Sequence, residues 1–246
     1  MNESKVKNIP WLRMLLDGAV IVASIILALA FDALWEVSFT EYSGYQQEQA
    51  VLVNLEAEFS EGIEILDNFA ESRAGRVAAA EELLAATQNP NAALPDDIAA
   101  DLALVFVNYR TLNIPNGALN TYLSSGNPEL ISNIELRQLL ASWPSLIDDN
   151  AEEEGAEIQL IRDELRPYLM QRIALGPILG AHPRGSYGEF ADTELDVETV
   201  RQLLLDPKFK NLVTMRLAYI RFTQREITAL STSAQQILDL LEQETT

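Results

Sequence analysis

Residues 18–31 read GAVIVASIILALAF, a run with no charged side chain. Apolar character continues outward through Trp11, Leu12, Met14, Leu15 and Leu16 on one side and Ala33, Leu34 and Trp35 on the other. As a helix, residues 11–35 would span roughly 37 Å, enough to cross a hydrocarbon core of about 30 Å with some tilt; residues 18–31 alone would reach only about 21 Å. Asp17 and Asp32 then fall at the two membrane boundaries, with Trp11 and Trp35 beside them as interfacial residues. These four are the candidate docking positions at the membrane edge.

Lys5, Lys7 and Arg13 precede the run, whereas Glu36, Glu41 and Glu48 follow it and no Lys or Arg occurs again before Arg73. The positive-inside rule therefore predicts a cytoplasmic N-terminus (1–10), a transmembrane anchor (11–35) and an acidic extracytoplasmic domain (36–246). A cleaved secretory signal is the alternative, because Ala28-Leu29-Ala30 fits an A-x-A cleavage site. Against it, Ile25, Ile26 and Leu27 run into that tripeptide with no intervening polar stretch. Either way the main domain lies across the membrane.

The chain of 246 residues carries 17 Lys+Arg against 37 Asp+Glu, a formal charge of -20. Residues 1–35 are balanced, so the excess acid lies beyond the anchor. Such a surface repels phosphate backbones and anionic lipid, which argues against nucleic-acid binding and peripheral membrane attachment. With no cysteine, disulfides, thiolate metal sites and cysteine nucleophiles are excluded.

Beyond Trp35 the periodicity is helical, broken by Pro, Gly and Asn, which predicts an all-α domain. Leu52, Leu55, Phe59, Ile63, Leu66 and Phe69 recur at threes and fours, on a helix expected to continue the anchor outward unless Ser43-Gly44 hinges it. Asp96 or Asp97 is expected to cap a helix running to about Tyr109. Ser132-Asn133-Ile134-Glu135 fits a capping box, with a helix expected from Asn133, and Pro144 is expected to open the next one. The stripe of that helix is Ile147, Ala151, Glu154, Ile158, Ile161, Leu165 and Tyr168, with Pro167 as a kink or break.

Residues 174–195 form the longest irregular stretch. Asp196 then caps a helix to about Leu205, and Asp206-Pro207 starts a last helix to about Glu242. Its seam, Val213, Leu217, Ile220, Gln224, Ile227, Ser231, Ala234, Leu238 and Leu241, keeps a heptad-like spacing. The expected architecture is a helical bundle with coiled-coil-like long helices. Val213, Leu217, Ile220, Gln224 and Ile227 are the candidate helix–helix interface, packed along the helix that leaves the membrane.

Two stretches carry a resemblance. Residues 17–36 (DGAVIVASIILALAFDALWE) combine an acidic residue, an aliphatic anchor and a closing Trp35-Glu36; residues 120–143 (NTYLSSGNPELISNIELRQLLASW) hold Ser125-Gly126, Leu130-Ile131, Asn133 and Glu135-Leu136-Arg137. Together they resemble a family of uncharacterised bacterial single-pass membrane proteins, a domain of unknown function with an N-terminal anchor ending in W-x-E. The resemblance implies an uncleaved anchor in a bacterial inner membrane and a periplasmic helical domain. It implies no activity.

Chemistry is sparse. His182 is the single histidine, which leaves multi-histidine metal sites and a Ser-His-Asp triad hard to assemble. Asp148, Asp149, Glu152, Glu153, Glu154 and Glu157 read as a solvated acidic face, since consecutive helical residues point around the axis and do not converge on a cation. Glu154 departs from that reading because it lies on the apolar stripe and needs a partner, for which Arg216, Arg221 or Arg225 is available. Arg184-Gly185-Ser186-Tyr187-Gly188 lacks the spacing of a phosphate loop.

No catalytic, cofactor or metal residues are assigned. The predicted function is a non-enzymatic scaffold or accessory subunit of a membrane protein complex, or a self-assembling one. The alternatives are an extracytoplasmic small-ligand sensor acting through a partner and, behind it, a carboxylate-based enzyme around Glu154, Asp192 and residues 174–195.

Overall fold

The computed structural model describes residues 11–181 and 194–245, with side chains described for residues 24–30, 44–181 and 194–245. Trp11, Asp17, Asp32 and Trp35 thus have side chains outside the described set, and His182, Arg184–Gly188 and Asp192 lie outside the described residues altogether. Among the described residues the chain is all helical, with no strand. It divides into two units, Met1–Val51 and Leu52–Thr246.

Helix α1 runs Trp11–Gln88 without a break at Ser43-Gly44, so the hinge offered by that pair is not used. In the first unit the described side chains at 24–30 are those of an apolar helix: Ile25, Ile26, Leu27 and Leu29 are each 54–69% exposed. Among the described residues no helix is long and apolar enough to cross a membrane, and of the 11–35 stretch only residues 24–30 have described side chains.

In the second unit the buried seam of α1 is Leu52, Leu55, Phe59, Gly62, Leu66, Phe69, Arg73, Arg76, Ala80 and Leu83, an unbroken alternation of threes and fours, with Ala79 buried beside it. That spacing keeps one seam facing its neighbours. Gly62 sits there because the chain crosses close by: a Cβ at this position would lie 3.2 Å from Ile114.

Two long helices complete the bundle, α4 (Ile134–Leu160) and α8 (Pro207–Thr245). Thr245 bonds Glu56 and Thr223 bonds Arg73, so α8 runs antiparallel to α1. Asn133 reaches Glu244 and Glu157 reaches Arg216, so α8 is antiparallel to α4 as well. Phe59 meets Trp143 edge-on at 5.2 Å and Arg73 meets Glu157 at 2.9 Å, the same offset in sequence, which places α1 and α4 parallel and in register. A parallel pair needs a crossover, and residues 89–133 supply it with α2 (Ile98–Leu102), a π-helical turn (Ala103–Val107) and α3 (Gly117–Ser124).

Local signals act as their chemistry dictates, with some displacement. Asn133 caps α4, its side chain accepting from the Leu136 amide at 3.1 Å, and Asp196 does the same for Thr199 at the start of α7 (Val197–Leu205). Asp97 precedes α2 but makes no side-chain cap, and α2 with its π-helical turn ends at Val107, short of Tyr109. Pro144 does not open a helix; it lies inside α4. Nor does Pro167 break the chain: a π-helical turn at Ile161–Leu165 widens the backbone just before it, and α5 (Arg166–Met170) continues with Pro167 in its first turn, where a missing N–H costs little. Within the stretch expected to be irregular, Gly176–Gly180 forms α6. The sole positive-φ residue among those described is Gly126, at +70° in the turn after α3.

Candidate functional site: a buried arginine layer

Arg73 and Arg76 are three residues apart on α1 and share its inward face. Arg216 comes from α8, and Glu154 and Glu157, also three apart, come from α4. All five are buried, the three arginines at 0–1% exposure. They form a charged layer across the bundle, with apolar packing on both sides: Leu55, Phe59, Leu66 and Trp143 on one, Ala80, Leu83, Ile161 and Phe209 on the other.

Glu157 is the hub. One carboxylate oxygen accepts from Arg73 at 2.9 Å and the other accepts from Arg216. The second arm of Arg216 donates to the Asn108 carbonyl at 3.0 Å, and Arg73 also donates to the Thr223 hydroxyl, which in turn donates to the Tyr219 carbonyl. A buried ion pair repays its desolvation when its remaining donors and acceptors are also satisfied, and these bonds do much of that.

Glu154 has a different role from the one its stripe position suggested. Its carboxylate accepts from the Leu112 amide at 3.1 and 3.2 Å and from Asn150 Nδ2 at 3.0 Å, and none of the proposed arginines bonds it. Arg216 goes to Glu157 one turn further on, and Arg221 pairs at the surface with Glu81. Burial raises the Glu154 pKa, while the bonds from Asn150 and Leu112 pull it back. The crossover is thus tied down by side chains: Glu154 holds Leu112, Arg216 holds Asn108, Arg166 holds the Val107 carbonyl at 2.7 Å, and Glu58 caps α3 through the Ala118 and Leu119 amides at 2.7 and 3.0 Å. A carboxylate at a helix N-terminus meets both the free N–H groups and the positive end of the helix dipole.

Arg76 stands apart from this pairing. Its Nη2 donates to Ser72 Oγ at 3.2 Å, and its Nε and Nη1 find no protein partner; the Nε atoms of Arg73 and Arg216 are also unbonded. Burial, then repulsion by Arg216 and Arg73, brings the Arg76 pKa down to about 10, so the group is still a cation at neutral pH. Burial likewise lowers Arg216 to about 10, against the pull of Glu157.

The acidic run splits. Asp148, Asp149 and Glu152 are exposed as expected, whereas Glu154 and Glu157 are buried, and among the described residues no group of three or more acidic or histidine side chains could hold a metal ion. On α8, Val213, Leu217, Ile220 and Ile227 are buried, Gln224 is half-buried, and Leu212, Arg216, Thr223, Leu230 and Ile237 are buried beside them. The face is broader than one heptad line because α8 touches two helices.

A cleft of about 440 Å³ opens at the described ends of the 174–195 stretch, lined by Met170, Arg172, Pro177, Leu195, Asp196 and Thr199 among others. Two of its charged groups are already engaged: Arg172 pairs with Asp206 at 3.1 Å and Asp196 caps α7. Arg73 and Arg76 were not singled out from the sequence, and Glu157, read there as part of a solvated acidic face, is buried. The available signal was the continuation of the seam from Phe69 through positions 73, 76, 80 and 83, which puts two arginines where a core residue belongs. The chain matches no protein-family model, and no significant match to a curated protein or a solved structure was found.

Proposed function

We propose that this is a single-pass membrane protein of a bacterial inner membrane, its N-terminus cytoplasmic and its helical domain periplasmic, acting as a non-enzymatic scaffold or accessory subunit of a membrane complex. The observation that supports it is the set of side chains at residues 25–29. Ile25, Ile26, Leu27 and Leu29 point around the helix, not to one side, and all remain more than half exposed. A helix apolar all round is stable only when lipid or protein surrounds it. The charge asymmetry about residues 11–35 supports the orientation.

In the second unit, three described acids that depart from the solvated pattern hold structure together. Glu58 caps a helix, Glu154 holds a crossover amide and Glu157 bridges two arginines. Such committed groups suit a rigid presenting domain.

The test is a two-step fractionation. The protein should stay with membranes through a carbonate wash and come out only in detergent; release by carbonate would overturn the anchor. Mild-detergent extraction followed by native mass analysis should then give a stoichiometric partner or a homo-oligomer. A lone monomer with nothing bound would overturn the scaffold role.

A further inference from the structure

The charged layer holds more cation than its carboxylates neutralise. Arg73, Arg76 and Arg216 are buried at 0–1% exposure, and among the described residues Glu157 is the one carboxylate that bonds their guanidinium groups. Glu154 lies nearby, but its oxygens are taken up by Leu112 and Asn150, and burial shifts it toward its neutral form. Arg110, half-buried over the Phe69 ring at 5.8 Å, adds further positive potential.

An uncompensated charge in a bundle interior costs several kcal/mol. A guanidinium remains ionised there because its pKa is so high. Arg76 is therefore a buried cation with two N–H donors that meet no protein acceptor, beside two others whose Nε donors are likewise free. This occurs in a chain whose net charge is -20, where Asp+Glu outnumber Lys+Arg 37 to 17.

From the charge excess and the free donors together, we infer that the Arg73–Arg76–Arg216 layer binds one small monovalent anion, of the size of a halide or formate, beside Arg76. The monovalent class follows from two facts. The excess is one to two positive charges, and the surrounding side chains are fully enclosed, which disfavours a bulky organic ligand and a strongly hydrated divalent anion. The anion would act as a structural counter-ion, joining α1 to α8 across the layer as Glu157 joins α4 to both. This inference is independent of the membrane anchor.

The test uses the full chain in detergent, with chloride as the probe and gluconate, too large to enter, as the matched salt. A ligand that binds only the folded state raises Tm with its concentration, by about 5 °C or more at a hundredfold excess over Kd. Tm should rise with the logarithm of chloride concentration above Kd at constant ionic strength, and Arg76→Gln should lose that response. Arg221→Gln, at an exposed arginine on the same helix as Arg216, should keep it. Equal Tm in chloride and gluconate would overturn the proposal and leave water as the partner of these donors. A chloride response that survives in Arg76→Gln would overturn it in favour of chloride binding elsewhere on the chain.

Should Arg76→Gln fail to fold, chloride-35 NMR of the wild-type chain decides. Excess line broadening that bromide competes away supports the site, and broadening that bromide leaves unchanged, or none, overturns it.

Discussion

Two neighbouring parts of the bundle are built from opposite materials. At Ala80, Leu83, Phe106, Ile161 and Phe209 the interior is dry and aromatic, with the Phe106 and Phe209 rings stacked at 5.2 Å. One turn away on α1, Arg73 and Arg76 occupy the same seam and the interior is ionic. The apolar part gains stability from surface removed from water, roughly 1.5–3 kcal/mol for each large side chain, and best tolerates apolar groups of similar volume. The ionic part gains less from burial, but its bonds from Arg73 and Arg216 to Glu157 form only when the three helices meet at one level. The layer therefore sets the register of three helices that apolar packing alone would leave less defined.

The comparison is broken most severely at its hub. Glu157→Ala should strand Arg73 and Arg216 as buried, unpaired cations and cost about 3–5 kcal/mol in urea unfolding. A loss below 1 kcal/mol would mean that water reaches the layer. In the dry part, Phe209→Ala should cost a similar or slightly smaller amount, about 3–4 kcal/mol, by opening a cavity.

Glu154 sharpens the contrast at intermediate scale. Glu154→Leu suits the apolar stripe yet leaves the Leu112 amide and Asn150 unpaired, for an expected loss of about 1–3 kcal/mol. Glu154→Gln keeps an acceptor oxygen and should lose less than about 1 kcal/mol. If Glu154→Leu proved as stable as wild type, the crossover would not depend on this carboxylate.

Asp101 gives a pH dependence. Burial, then repulsion from Glu82 and Asp97, raises its pKa to about 6 from an ordinary 3.8. A carboxyl whose folded pKa lies above its unfolded value favours the folded state while protonated, so its contribution is complete below about pH 4 and is lost as pH rises through 6. Asp101→Asn should match wild type near pH 4 and exceed it by about 1–2 kcal/mol at pH 8. A difference that does not change with pH would exclude this assignment. The smallest effect belongs to the exposed pair Arg221–Glu81, where Arg221→Ala should cost under about 1 kcal/mol, less at high salt.

Much of the fold was legible because it depends on local rules. Threes-and-fours spacing marked α1, α4 and α8, and Asn133, Asp196 and Asp206 sit where short polar side chains satisfy free amides. The proline expectations failed for a physical reason. Pro144 removes one donor, and a long helix packed on two neighbours can absorb that loss, while the π-helical turn at Ile161–Leu165 accommodates Pro167. The site was less legible. Glu154 was recognisable as an acid on an apolar stripe, yet its partners, Leu112 and Asn150, depend on where the crossover passes.

The sequence by itself determined the helical class, the apolar run at 18–31, the acidic balance and the seam of the last helix, because each follows from residue type and short-range periodicity. Tertiary structure alone decided that α1 and α4 run parallel, that Glu157 faces two arginines, and that Arg76 is left without a carboxylate. Those outcomes depend on which faces of three helices meet at one level, and a periodic pattern carries no information about the partner on the far side of the seam.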